Sequence, residues 1–478
     1  MTVWTRCQGW IGPAARRACA TLVVCLLAGP LAAAELEAGS GSAGDPPSKK
    51  SAIEVLEEKI AVLAEELDDL KSAQAVPEEL EPTESIYGLA PAASKVYRRD
   101  RGLSIGGYGD VRFRHYSKNA DGSQDIFDAV RFVLYTGYKF NDWLVFNSEF
   151  ELEHGSTSKS GSASVEFMTL DFLLKKEFNI RAGLVLLPMG FLNEVHEPPF
   201  YYGSSRPQVE LQIIPTTWRE NGAGIFGSFD LGGAGDLDYR VYAVNGFDAK
   251  GFTDEGLRGG RQKGSKALSD DWAFVGRFDY DMNALVPGLV FGGSVYAGNA
   301  GQNQQITRCV AFCDNSGLSP GDPVPVPDKQ SFDIPDTFVT LYEVHGEYYR
   351  YGLKLRGLFA QAFVNNAGRL SRALGAGSDA SVAKQMLGGY AEIGYDVLPL
   401  FTETEMSLQP FFRYEHVDTQ YRVASGFSKN EALDYDLLVM GVNFLPIPQV
   451  VIKLDYRDFH GTQGERADEF QASIGFVF

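Results

Sequence analysis

The most persistent pattern along the chain has a period of two. Val130, Phe132, Leu134, Thr136, Tyr138 and Phe140 alternate with Arg131, Val133, Tyr135, Gly137 and Lys139. Leu144, Phe146, Ser148, Phe150 and Leu152 alternate with Asn147, Glu149, Glu151 and Glu153. Near the end, Phe470, Ala472, Ile474, Phe476 and Phe478 alternate with Gln471, Ser473 and Gly475. Each segment has one apolar face and one polar or charged face, as strands with unlike sides require. A soluble sandwich rarely carries three glutamates in a row opposite Phe and Leu. A barrel with lipid outside and water inside needs that pattern.

The alternation predicts sixteen strands, near 103–117, 125–140, 143–154, 165–175, 179–189, 218–229, 237–247, 271–282, 288–299, 336–350, 352–364, 385–397, 406–418, 433–445, 449–460 and 467–478. Connections such as Asn141-Asp142, 176–178, 283–287, Arg350-Tyr351 and 446–448 are short. Those at 190–217, 248–270, 300–335 and 365–384 are long. Short turns on one rim and long loops on the other are the asymmetry of outer-membrane barrels, and an even strand count lets the sheet close without an edge. The expected fold is therefore all-β, a transmembrane antiparallel β-barrel of about sixteen strands over 102–478. Tyr138, Phe140, Trp143, Phe178, Tyr280, Tyr395 and Phe444 lie near the short turns, where an aromatic girdle would sit.

The N-terminal hundred residues follow other rules. Arg6, Arg16 and Arg17, the apolar stretch Ala18 to Leu27 and the small residues Ala32-Ala33-Ala34 have the layout of a secretory signal cleaved after 34. Residues 35–50 read as a flexible lead. Ile53, Leu56, Ile60, Leu63, Leu67 and Leu70 then form an a/d heptad seam, which predicts a short coiled-coil helix over 51–75, on the periplasmic side once the chain is exported. Ile at a with Leu at d slightly favours two strands. Pro77 and Pro82 end it, and 76–101 reads as an acidic, proline-containing linker.

The formal charge of −19 argues against nucleic-acid binding, and the barrel region remains net acidic after the N-terminal segment is set aside. Three of the five cysteines leave with the signal. The other two, Cys309 and Cys313, sit in the longest loop, where a disulfide closing so short a span would pin a local turn.

Inward parity places Asp110, Arg112, Arg114, Arg131, Glu149, Glu151 and Arg181 on the lumen wall. Both signs lining a narrow waist would set a transverse field that favours polar, hydrated solutes. About half of these charges are expected to neutralise each other across strands. The loop at 190–217 is the expected constriction. It carries Glu194, His196, Glu197, Arg206 and Glu210, stiffened by Pro198, Pro199, Pro207 and Pro215. No catalytic motif, cofactor-binding motif or metal-site pattern rises above background, so neither an enzyme nor a cofactor is expected.

Two blocks carry a family resemblance. Arg181-Ala-Gly-Leu-Val-Leu-Leu-Pro-Met-Gly190 with the following Phe191 to Pro199, and Ile213-Ile-Pro-Thr-Thr-Trp-Arg-Glu-Asn-Gly222, resemble the phosphate-selective porin superfamily, as does the terminal Ile474-Gly-Phe-Val-Phe478. The resemblance implies a sixteen-stranded, commonly trimeric barrel with its third long loop folded inward; phosphate itself is not implied. It also implies contact with outer-membrane lipid and lipopolysaccharide. The expected function is a water-filled channel for small hydrophilic, charged solutes, with a mild cation preference from the acidic balance. A substrate-specific porin for phosphate-like anions or metal–chelate nutrients is the nearest alternative. A structural tether, with the heptad segment engaging the cell wall, is the other.

Overall fold

The computed structural model describes residues 59, 61–62, 85–117, 123–311, 327–461, 463 and 466–478. The signal, the lead, most of the heptad segment, the first part of the linker and Cys313 lie outside them. Lys59, Ala61 and Val62, within the heptad segment, are helical.

Among the described residues, eighteen strands alternate with loops. They are β1 (Gly102–Tyr116), β2 (Ile126–Asn141), β3 (Leu144–Glu153), β4 (Ala163–Lys175), β5 (Phe178–Leu186), β6 (Arg219–Asp230), β7 (Asp236–Asn245), β8 (Trp272–Asp281) and β9 (Leu289–Asn299). After these come β10 (Gln305–Ala311), β11 (Asp328–Asp333), β12 (Phe338–Arg350), β13 (Leu353–Val364), β14 (Gln385–Tyr395), β15 (Ser407–Arg422), β16 (Asp434–Ile447), β17 (Val450–Gly461) and β18 (Glu469–Val477). All but β10 and β11 form one closed antiparallel barrel, in which each strand pairs with its sequence neighbours and β9 pairs with β12. The predicted strands match these, except that β15 runs on to Arg422 and the 300–335 loop holds the hairpin β10–β11, which the alternation did not reveal.

Closure joins β1 to β18, with Asp110 opposite Gly475 and Arg112 opposite Ser473. Gly107 and Phe478 exchange two backbone hydrogen bonds of 2.9 Å, so the terminal residue seals the seam. The outer face is apolar: Ile105, Phe132, Phe150, Phe274, Phe291, Val344, Phe412 and Ile474 are all exposed there. Tyr138, Phe140, Trp143, Tyr351 and Phe401 are exposed at the rim of short turns. Tyr138 lies 5.0 Å from Phe140, and Trp143 stacks on Phe172 at 6.2 Å.

The interior differs from an open pipe lined by charge. Leu187, Met189, Ile213, Ile214 and Trp218, from the loop between β5 and β6, are fully buried with the inward faces of β7–β9 and β12–β14. Each such side chain contributes about 1.5–3 kcal/mol on burial, against about 1–2 kcal/mol per residue for ordering the backbone. Apolar packing therefore offsets only part of the cost of ordering the loop, and polar ties to the wall fix its course. The last part of the predicted linker, 85–101, is no free spacer either. Ile86, Leu89, Ala92, Ala93, Val96 and Tyr97 are buried with Tyr108, Val133, Val145 and Phe167 of the barrel wall. Gly137 makes room for this segment, since a Cβ there would meet the Val96 Cβ at 2.7 Å.

Candidate functional site

The loop from 187 to 218 runs inside the barrel. From β5 it first approaches β3 and β4, where His196 Nε2 lies 3.2 Å from Glu149 Oε1. It then crosses to the opposite wall. Lys453 Nζ donates to the carbonyls of Tyr201 and Gly203 at 2.9 and 2.8 Å, and Asn443 Nδ2 also donates to the Tyr201 carbonyl, at 3.1 Å. The Ser204 amide donates to Asp455 Oδ1 at 2.6 Å, Ser205 Oγ to Gln471 at 2.8 Å and Arg413 Nη1 to the Tyr202 carbonyl at 3.1 Å. Tyr202 stacks on Phe411 with ring centroids 5.1 Å apart. The short helix α1 (Val209–Gln212) follows, and the chain returns to β6 through Trp218, which stacks on Phe247.

The predicted loop residues are all buried, with distinct tasks. Glu194 pairs with Arg240 at 2.9 Å. Glu197 accepts the Ala92 amide at 3.0 Å, joining the loop to the N-terminal segment, and burial raises its pKa to about 8. Glu210 accepts from the Leu192 amide and the Tyr390 hydroxyl, both at 2.7 Å, and burial raises its pKa as well. Arg206 is the exception. Its Nε and Nη2 have no hydrogen-bond partner among the described residues.

The predicted wall residues divide in the same way. Asp110 and Arg131 form a 3.2 Å ion pair. Arg181 is bound by Asp171 at 2.8 and 2.9 Å and reaches the Tyr97 hydroxyl at 3.2 Å, so it anchors the N-terminal segment. Arg112 donates to Ser205 Oγ at 2.9 Å, and Arg114 lies 3.6 Å from Glu469. Glu149 and Glu151 are buried on β3.

Two cavities flank the loop. One, of about 710 Å³, opens toward the short turns and is lined by Tyr87, Phe191, Glu194, Arg240, Arg277, His345 and Arg356, among others. The other, of about 320 Å³, faces the long loops. Arg112, Arg114, Arg131, Arg206, Arg258, Arg457 and Arg466 line it, against the carboxylates of Glu151, Glu153 and Glu469. Burial, followed by repulsion from Arg206, lowers the Arg258 pKa to about 10. Burial and the nearby Arg258 lower that of Arg261 to about 9. Guanidiniums held this close to one another form a region where an anion is electrostatically favoured.

No family model matches the chain. It is 35% identical over 407 residues to an uncharacterized protein of Aquifex aeolicus (strain VF5), covering 82% of this chain and 83% of that one. The chain belongs to that protein's family. Among solved structures, it is similar to a loop L8 deletion mutant of OmpT, an outer membrane protein of Vibrio cholerae, at 12% identity, with 80% of this chain and 100% of that one covered and a TM-score of 0.49. It is also similar to an anion-selective porin from Comamonas acidovorans (11%, 79% and 100%, 0.46) and to the outer membrane channel DcaP of Acinetobacter baumannii (12%, 79% and 97%, 0.46).

Several interior residues escaped the sequence pattern. Arg258 and Arg261 reach the lumen from the loop between β7 and β8, Arg258 toward the Thr216 carbonyl and Arg261 to that of Thr217 at 2.7 Å. Glu166 was hidden by a bulge. The β3–β4 register shifts at Glu149/Phe150, so that Glu166 and its neighbour Phe167 are both buried, which breaks the alternation. Arg457 on β17 pairs with Glu469 at 2.6 Å. Cys309 is disulfide-bonded.

Proposed function

We propose that the chain is a porin-type channel of the bacterial outer membrane that passes small hydrophilic, charged solutes. The observation that carries this reading is a closed sixteen-strand barrel, apolar outside, whose interior holds an infolded charged loop between two polar cavities. No helix among the described residues is long and apolar enough to cross a bilayer, and a closed barrel with an apolar outer face can cross one with its strands. In this reading the signal is removed after 34, the short turns and heptad segment face the periplasm, and three barrels associate in contact with lipid and lipopolysaccharide. The Cys309–Cys313 disulfide would stiffen the 300–335 loop. The resemblance to the phosphate-selective porin superfamily supports this architecture.

A second reading concerns the sign of the solute. Total charge would favour cations, but a permeating ion responds to the local field at the narrowest part of its path. The arginine-rich cavity, with the unpartnered Arg206 donors, favours phosphate-like anions there. Swelling of proteoliposomes in isotonic solutions of small sugars and salts tests the channel reading. It should outpace that of protein-free vesicles and fall with solute size; equal rates would favour the tether.

A further inference from the structure

We propose that Glu149, Glu166 and His196 form a divalent-cation site that ties the infolded loop to the barrel wall. The three come from β3, β4 and the loop, and all are buried to within 1% of full burial. His196 Nε2 lies 3.2 Å from Glu149 Oε1 and 3.6 Å from Glu166 Oε2, and one ligand atom from each residue falls within 4.8 Å of the others. Bonds of about 2.0–2.2 Å to a tetrahedral zinc ion put neighbouring ligand atoms about 3.3–3.6 Å apart. The two nitrogen–oxygen distances lie close to that spacing.

Hydrogen bonding leads to the same place. His196 Nδ1 faces the carbonyl oxygen of Asn193 at 3.2 Å, while Nε2 faces the two carboxylates. With both carboxylates ionised, a neutral imidazole, which has one N–H, leaves a ring lone pair against an oxygen lone pair in either tautomer. An imidazolium would satisfy both sides as well, and a cation bound at Nε2 would have to displace that proton. A cation on Nε2 removes the conflict. Nδ1–H then donates to Asn193, the outer support usual for a metal-binding histidine.

The carboxylates are arranged accordingly. Glu166 Oε1 is held by Thr217 Oγ1 at 2.8 Å and Arg219 Nη1 at 2.6 Å, which leaves Oε2 directed at His196. Glu166 Oε2 and Glu149 Oε2 are buried without a hydrogen-bond partner. Glu166 takes up this position only because of the bulge between β3 and β4. One imidazole nitrogen with two carboxylates suits Zn²⁺ or a similar borderline ion. Arg219, paired with Glu166, and Arg206 oppose the added charge, so the two carboxylate ligands must carry the compensation.

Binding can be read directly, whether or not the barrel conducts. The full-length protein, folded in detergent and stripped with a chelator, is titrated with ZnCl₂, and metal content is measured after dialysis. Exposed His–Asp pairs such as His154–Asp128 could also take zinc, so His154→Ala is the surface control. One tightly held zinc per chain is expected in both the wild type and His154→Ala. Affinity should fall by at least about 100-fold in Glu149→Gln and His196→Ala, since even loss of an outer-shell partner costs about 10–100-fold. Co²⁺ in place of zinc should give the visible absorption of a low-coordinate site, lost in Glu149→Gln. That nearly isosteric variant decides the matter where His196→Ala does not fold. Absence of tight zinc in the folded wild type, or its retention in Glu149→Gln, overturns the proposal and leaves the carboxylates neutralised by a proton or by Arg206.

Discussion

Lys453 on β17 and Tyr201 at the tip of the infolded loop meet twice: the ammonium donates to the Tyr201 carbonyl at 2.9 Å and lies 3.7 Å from the centre of its ring. Lys453 is buried and also serves the Gly203 carbonyl. The loop is thus pinned to the wall opposite the one from which it leaves. Lys453→Met keeps the aliphatic stem and removes the donor, leaving the Gly203 carbonyl without it at about 1–3 kcal/mol, while the Tyr201 carbonyl keeps Asn443. Single-channel records of the variant should show greater open-current noise than the wild type. Equal noise would mean that Lys453 does not restrain the loop.

The N-terminal segment has its own lock. Tyr97 donates to Asp171 at 2.5 Å and accepts from Arg181 at 3.2 Å. Tyr97→Phe should weaken docking of 85–101 by about 1.5–3 kcal/mol, the range for a hydrogen bond to a charged group. Trypsin should then cleave at Lys95 faster than in the wild type. An unchanged cleavage rate would argue that the apolar contacts of Ile86, Leu89 and Val96 hold the segment by themselves.

Gly475 on β18 tests how tightly the loop is seated, because a Cβ there would meet the Pro198 Cβ at 2.4 Å. Neither group is the far end of a flexible side chain. Gly475→Ala should destabilise the folded barrel by about 1–3 kcal/mol, as overpacking usually does. The temperature at which the barrel loses its compact mobility on SDS gels should drop. Wild-type behaviour would place Pro198 elsewhere.

Charge reversal separates the mouth arginines by their partners. Arg206 has unpartnered donors, whereas Arg131 is committed to Asp110. Arg206→Glu should raise the cation-to-anion permeability ratio by about fivefold, the Boltzmann factor for roughly 1 kcal/mol of Coulomb energy in water. The effect should shrink in molar salt as screening shortens. Arg131→Glu would instead set a second carboxylate beside Asp110, so its main expected effect is lower assembly yield. An unchanged reversal potential in folded Arg206→Glu would place that residue off the conducting path.

Much of this architecture is legible in the sequence because lipid and lumen impose opposite chemistry on alternate residues. Phe132, Phe150 and Ile474 announce the outer face, while Arg131, Glu149 and Glu151 announce the inner one. The stiff, charged run from Glu194 to Pro215 announces a loop with a fixed course. What stayed hidden has physical causes. Ile86 to Tyr97 lacks any periodicity, since a segment packed on all sides by a barrel wall needs none. Glu166 lost its parity to a bulge. Arg181 reads from parity as an inner-face residue, but its task depends on Tyr97, a residue from a segment that reads as linker.

In the proposed function, this barrel conducts around an infolded, arginine-lined loop. Planar-bilayer recording of the full-length protein under a KCl gradient tests it most directly. Discrete conductance steps are predicted, with a reversal potential shifted toward cations in Arg206→Glu. A bilayer that stays insulating after verified insertion of the folded protein would contradict it.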